Sequence, residues 1–167
     1  MRIRRATDDD FAAIWAIFRA VVAGADTYAF SPDTSRDDAF AYWFGPGVLS
    51  FVAEKDGEIA GMYKLIPNQR DLGAHVANAS FMVGPGFRGQ GIGEALGRHC
   101  LAEARKRSFK AMQFNFVVSA NTGAVALWKK LGFEIVGVLP EAFRHRALGD
   151  IDAYVMYRFL DGAARAR

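Results

Sequence analysis

Between an apolar run ending at Val83 and a helical pattern opening at Ile92 lies Val83-Gly84-Pro85-Gly86-Phe87-Arg88-Gly89-Gln90-Gly91-Ile92-Gly93, with five glycines and one arginine. A helix start presents N–H groups with no intrahelical acceptor and a partial positive charge. Glycines let a phosphate approach the backbone without Cβ clashes, and Arg88 adds a fixed cation. This junction can cradle a pyrophosphate. Gly84-Pro85-Gly86-Phe87-Arg88-Gly89 matches the spacing of the dinucleotide fingerprint. That fingerprint also wants an acidic residue about 20 positions on, at the end of the next strand. Residues 109–118 hold no Asp or Glu. A P-loop is excluded because no Gly-Lys-Ser/Thr follows. A glycine-rich turn without a ligand remains the structural alternative.

Other residues with chemical potential are few. Asn78 and Asn115 each interrupt a mostly apolar strand pattern. Strand interiors disfavour Asn, and a buried amide must find partners. They serve either structural hydrogen bonds or the positioning of a substrate. His75 can act as a base by chemistry, but one His beside an apolar strand reads more simply as structural. Cys100 falls on the apolar stripe Ile92, Leu96, Cys100, Ala104 and reads as core. No metal site is expected.

The elements that must hold these residues follow from periodicity. Residues 2–6 read as a first strand. Thr7 or Asp8 can cap a helix to about Val22, with Phe11, Ile14, Trp15, Phe18 and Val22 on one stripe and Gly24 ending it. A loop through Tyr28 leads to a helix at 35–44, stopped by Gly45-Pro46-Gly47. Its aromatics Tyr42, Trp43 and Phe44 form either a core face or a pocket wall. Strands follow at 49–54, 59–66 and 75–83, the first two joined by a Lys55-Asp56-Gly57-Glu58 turn. After the glycine-rich loop come a helix to about 107, a strand at 111–118, a helix capped by Asn121 and ended by Gly132, and strands at 133–139 and 153–159. Arg144-His145-Arg146 precedes the last strand in this reading and suits either an anionic substrate or a surface contact. The order implies an α/β (α+β) protein with a mixed seven-stranded sheet and about four helices.

Composition narrows the class. At 167 residues, one domain over 1–162 with a disordered tail at 163–167 is expected. A net charge of +3 with scattered basic residues is no nucleic-acid signature. One cysteine allows no internal disulfide and fits a reducing compartment. No apolar run approaches the roughly 18 residues of a membrane span. The expectation is a cytoplasmic protein without nucleic-acid or membrane partners.

Two blocks carry a family resemblance. Arg88-Gly89-Gln90-Gly91-Ile92-Gly93 resembles the Arg/Gln-x-x-Gly-x-Gly/Ala motif of the GCN5-related N-acetyltransferases. The segment from Asn121 through Ala124, Leu127, Trp128, Lys130 and Gly132 to Phe133 resembles that family's Asn-x-x-Ala-x-x-Leu-Tyr-x-Lys-x-Gly-Phe segment. The resemblance implies a sheet splayed between its fourth and fifth strands, with acetyl-CoA as cosubstrate. Its pyrophosphate would rest on Arg88, Gly89, Gln90, Gly91, Ile92 and Gly93. Its pantetheine arm would pair with Phe81, Met82 and Val83 and touch Asn121 and Trp128. The N–H of Phe81 or Met82 would polarise the acetyl carbonyl. The acceptor would be a small amine attacking the thioester directly; a protein N-terminus or lysine, or a non-catalytic acyl-CoA sensor, are the alternatives. Family members are often homodimers. Many use the motif Tyr as the acid for the leaving thiolate, but here that position is Trp128, whose indole N–H is no usable acid, so solvent is the expected donor. A closer resemblance, spread over Tyr28, Tyr42-Trp43-Phe44, Ile66-Pro67-Asn68, Asn78–Val83, residues 114–121 and Val138-Leu139-Pro140, points to acetyltransferases of proline analogues such as L-azetidine-2-carboxylate. It implies that Asn78, Asn115 and Tyr28 contact the substrate.

Overall fold

Alternating apolar residues in the first half of the chain pair as an antiparallel meander, and the computed structural model describes it within residues 1–160. The elements are β1 (Arg2–Arg5), α1 (Phe11–Val22), α2 (Arg36–Phe44), β2 (Leu49–Lys55), β3 (Glu58–Pro67), β4 (Val76–Val83), α3 (Ile92–Lys106), β5 (Ala111–Val118), α4 (Thr122–Lys130), β6 (Glu134–His145) and β7 (Gly149–Phe159). They form one seven-stranded sheet in the order β1-β2-β3-β4-β5-β7-β6. All pairings are antiparallel except β4 with β5. The expected mixed sheet and four helices are therefore present. The tail at 163–167 lies outside the described residues.

The splay is visible in the register. β4 and β5 are each eight residues long, yet they pair only at Val76↔Ala111 and Ala77↔Met112. Asn78 Nδ2 then donates to the Gln113 carbonyl at 2.9 Å, and beyond that point the strands diverge.

Each sheet face has its own core. On one, Leu96, Cys100 and Ala104 of α3 meet Tyr63, Leu65, Trp128, Leu131 and Phe133. On the other, Ile14, Phe18 and Val22 of α1 and Trp43 of α2 cover Val52, Met62 and Met82. Cys100 is fully buried, and burial pushes its thiol well above the ordinary range, so it is core and not a nucleophile.

Caps behave largely as the residue types require. Ser35 Oγ accepts from the Asp38 N–H at 3.1 Å, and Asn121 Oδ1 accepts from the Ala124 N–H at 3.2 Å. Three boundaries differ from the sequence reading. The left-handed residue after α1 is Ala25 (φ 47°), and not Gly24. His75 precedes β4, is exposed and contacts the Leu72 carbonyl through Nδ1 at 3.1 Å, which makes it structural. The last two strands form a longer hairpin, because the segment holding Pro140 is a bulge within β6, with Glu141 at φ 50°, and not the end of a strand. Arg144 and His145 accordingly lie in β6, and Arg144 pairs with Asp150 at 3.0 Å.

Two packing features yield tests. A Cβ at Gly61 of β3 would stand 2.9 Å from the Met82 carbonyl oxygen and 3.1 Å from Leu96 Cδ1, so this glycine sets how closely α3 seats on the sheet. Gly61→Ala is expected to cost about 1–3 kcal/mol in urea unfolding, as overpacking does; a loss within about 0.5 kcal/mol, the range of ordinary surface changes, would contradict the tight fit.

Lys64 is 6% exposed under α2. Its Nζ donates to the Tyr42 carbonyl at 3.1 Å and lies 3.1 Å from the centre of the Tyr42 ring. Burial pulls its pKa down to about 8. Between there and the ordinary lysine range the unfolded chain binds more protons than the folded one, so this group's contribution to stability rises with pH from about 8 upward. Wild type is expected to gain stability relative to Lys64→Met as pH is raised from 7.5 through 9.5 in urea titrations; parallel curves would show that the ammonium is not desolvated.

Candidate active site

The gap between β4 and β5 exposes one edge of the β4 backbone. In an antiparallel ladder, alternate residues aim both their N–H and C=O at the partner strand. Val76 accepts from the Asn68 N–H at 2.8 Å on the β3 side, which fixes the phase. Ala79, Phe81 and Val83 therefore aim their peptide groups at the gap, just as Ala77 aims its own at β5, while Met82 aims its own at β3. Of the two N–H groups expected to face a thioester, Phe81 is the one directed into the opening.

That peptide is held by a residue far off in sequence. The Tyr28 hydroxyl accepts from the Phe81 N–H at 2.9 Å and donates to the Phe81 carbonyl at 2.5 Å. Burial first, and the neighbouring Tyr42 second, push the Tyr28 phenol above its ordinary range, against the opposing effect of the Phe81 bond. It stays protonated throughout the neutral range.

Two cavities meet there. One, of about 660 Å³, runs along the glycine-rich loop and is lined by Met82, Val83, Arg88, Gly89, Gly91, Ile92 and Gly93. Gly89 and Gly91 adopt φ of 75° and 78°, and a Cβ on either would meet nothing within 4 Å. The first helical bond here runs from the Ala95 N–H to the Gly91 carbonyl, so the N–H groups just before it have no intrahelical acceptor. Open space before left-handed glycines, outward N–H groups and the exposed Arg88 fit a diphosphate. The gap-facing peptides of Phe81 and Val83 fit an amide-bearing arm. Gln90 is the exception: its side chain bonds the Gly86 carbonyl and Lys55, outside the cavity lining. His145, from the tip of the β6–β7 hairpin, also lines this cavity.

The second cavity, of about 430 Å³, lies on the α2 side of the gap. Asn78, Asn115, Tyr42, Ser80 and Trp128 line it. Thr27, Tyr28, Phe81, Asn121 and Ala124 line both cavities and mark their junction. No charged side chain is among the residues lining the second cavity. Asn115 is exposed on a bulge of β5; its Nδ2 donates to Asn68 Oδ1 at 2.8 Å, and its Oδ1 accepts from Gln113 Nε2 at 2.8 Å. Trp128 is buried, with ring centres 4.8 Å from both Phe81 and Phe114, and it borders the second cavity and not the first.

Sequence reasoning left Ser80 out and left Tyr42 open between core and pocket. The Tyr42 hydroxyl and Ser80 Oγ are 2.6 Å apart at the cavity wall. The signal for Ser80 was its spacing: it is two residues from Asn78 on the same strand face. Among the described residues, no group of three His, Cys, Asp or Glu could hold a metal ion, and no helix is long and apolar enough to cross a membrane.

Known proteins share this fold. A GCN5-related N-acetyltransferase from Kribbella flavida superposes with a TM-score of 0.90 at 41% identity, covering 95% of this chain and 96% of that one. The yncA protein of Salmonella typhimurium, solved with its cofactor acetyl-CoA, shares the fold with a TM-score of 0.85 at 24% identity, over 100% of this chain and 98% of that one. The L-amino acid N-acetyltransferase AaaT of Escherichia coli is 30% identical over 114 residues, covering 68% of this chain and 69% of AaaT. The N-acetyltransferase aca1 of Schizosaccharomyces pombe is 33% identical over 103 residues, covering 60% of this chain but only 49% of aca1, so the chain spans about half the length of that relative. The acetyltransferase (GNAT) family model matches residues 13–133, and the chain belongs to that family.

Proposed function

We propose that this protein transfers an acetyl group from acetyl-CoA to the amine of a small, amino-acid-like acceptor. The observation that carries the reading is the meeting of a diphosphate-fitting cavity and an uncharged, amide-lined cavity at one gap-facing peptide, that of Phe81. Acetyl-CoA supplies the activated acetyl carbonyl when bound. The chain's own part is to position and polarise. The N-terminus of α3 and Arg88 hold the diphosphate, the Phe81 N–H holds the carbonyl oxygen as negative charge develops on it, and Trp128 fills the wall beside them.

Chemistry favours an acceptor with a carboxylate. No acidic side chain lines the acceptor cavity to hold an ammonium, while Lys64 places a buried cation behind Tyr42. Asn78, Asn115, Tyr42 and Ser80 offer neutral donors that suit a carboxylate. A cavity of about 430 Å³ suits one amino acid better than a peptide. Likeness to an L-amino acid N-acetyltransferase supports this, and a proline analogue is the narrower candidate. The single, buried Cys100 supports a cytoplasmic location, and the habit of the family is the one support for a homodimer.

CoA release measured across amino acids, proline analogues, their amides, polyamines and lysine peptides tests the reading. Amino acids are expected to turn over well and the corresponding amides poorly. Preference for peptides or polyamines would overturn it, and no release with any amine would favour an acyl-CoA sensor. Asn115→Ala is expected to lower kcat/KM for the acceptor by about 10- to 100-fold, the value of a hydrogen bond to a charged group, with acetyl-CoA affinity nearly unchanged. Equal losses in both would contradict a role in holding the acceptor.

A further inference from the structure

The Trp128 position leaves the leaving thiolate without the acid that an α4 tyrosine would supply. A phenol is nonetheless present at the junction, delivered by the segment between α1 and α2. We propose that Tyr28 is a catalytic residue: its hydroxyl guards the Phe81 peptide while the gap is empty, then yields the N–H to the acetyl oxygen and donates its own proton to the departing sulfur. The proposal rests on the placement of the thioester at Phe81 given above.

Geometry restricts the choice of donor. Tyr28 Oη already sits 2.9 Å from the Phe81 nitrogen, which is where an acetyl oxygen bound to that N–H must lie. The two oxygens cannot share the place, so the phenol shifts by about one atom's width within the junction. A polar hydrogen in a desolvated site needs an acceptor, and the thioester brings a new one. Thr27 also borders both cavities, but its aliphatic hydroxyl is a weaker acid than a phenol, and the two other ring-bearing candidates fail on position. The Tyr42 hydroxyl is engaged with Ser80 and lines only the acceptor cavity. The ring of His145 accepts the Ala147 and Leu148 N–H groups through Nδ1, and that side chain borders the cofactor cavity alone.

The balance closes without another reactant. The amine lone pair forms the N–C bond as the carbonyl pair moves onto oxygen, held by the Phe81 N–H. Re-forming the carbonyl breaks the C–S bond, and sulfur leaves with its electron pair. Tyr28 gives sulfur a proton, and the proton shed by the new ammonium nitrogen returns to Tyr28 through solvent. The products are the acetamide and the free thiol.

Tyr28→Phe tests this, because it keeps the ring stacked on Phe30 at 6.2 Å and removes only the hydroxyl. The expected result is a kcat lowered by about 100-fold or more, as for loss of a positioned acid. Acetyl-CoA affinity should be unchanged or tighter by up to about fivefold, since a competing hydrogen bond is gone. A solvent deuterium isotope effect on single-turnover transfer should be present in wild type and absent in the variant. A kcat loss below about tenfold, or acetyl-CoA binding weakened in step with kcat, would overturn the assignment. Wild-type protein that neither binds nor turns over acetyl-CoA would instead overturn the acetyltransferase reading beneath it.

Discussion

Backbone hydrogen bonding cannot be left unmet inside a protein, and a strand that loses its neighbour halfway along has a row of such groups to satisfy. β4 is that strand. Its first two positions pair with β5, Asn78 bridges the next step to the Gln113 carbonyl, and the Phe81 peptide is then met by Tyr28 from 53 residues away. The open edge is thus what ties the α1–α2 segment to the sheet. It is also the only kind of surface against which an extended, amide-bearing ligand can pair as a strand would.

The surroundings of that edge follow from one topological fact. β4 and β5 are the parallel pair, so α3 must cross over between them, and both α3 and α4 begin near the carboxyl ends of their strands. Ligands in such sheets bind where the strand order brings helix N-termini together. The glycine-rich loop supplies outward N–H groups on one side of the opening, while the α1–α2 segment supplies aromatics and hydroxyls on the other. Phe81 belongs to both halves. Its ring packs among Tyr63, Phe114 and Trp128 of one core, and its peptide faces the opening.

Local features were legible in the sequence because they rest on local physics. The glycine loop, the cap at Asn121, the stripe Ile92-Leu96-Cys100-Ala104 and the alternation along β4 each depend on a few neighbouring residues. What was hidden depends on long-range contact. Nothing near Tyr28 announces that its hydroxyl meets Phe81, and nothing near Asn115 announces Asn68, 47 residues away. Asn115 lies inside β5 as expected, and what the sequence did not show is the β-bulge that leaves it exposed, where it can face an acceptor. The β6 extension was missed for a different reason. Pro140 ordinarily ends a strand, and only tertiary pairing of Phe143, Arg144 and His145 with β7 carries the strand past it.

The central claim is that cofactor and acceptor meet at the Phe81 peptide. Backbone amide NMR during a titration with acetyl-CoA tests it directly. The account predicts saturable shifts at Gly89, Gly91 and Ile92, where the diphosphate lies, and an equally saturable change at the Phe81 amide as its hydrogen-bond acceptor changes from the Tyr28 hydroxyl to the acetyl oxygen. Shifts confined to the glycine loop, with the Phe81 amide unmoved at saturation, would contradict it.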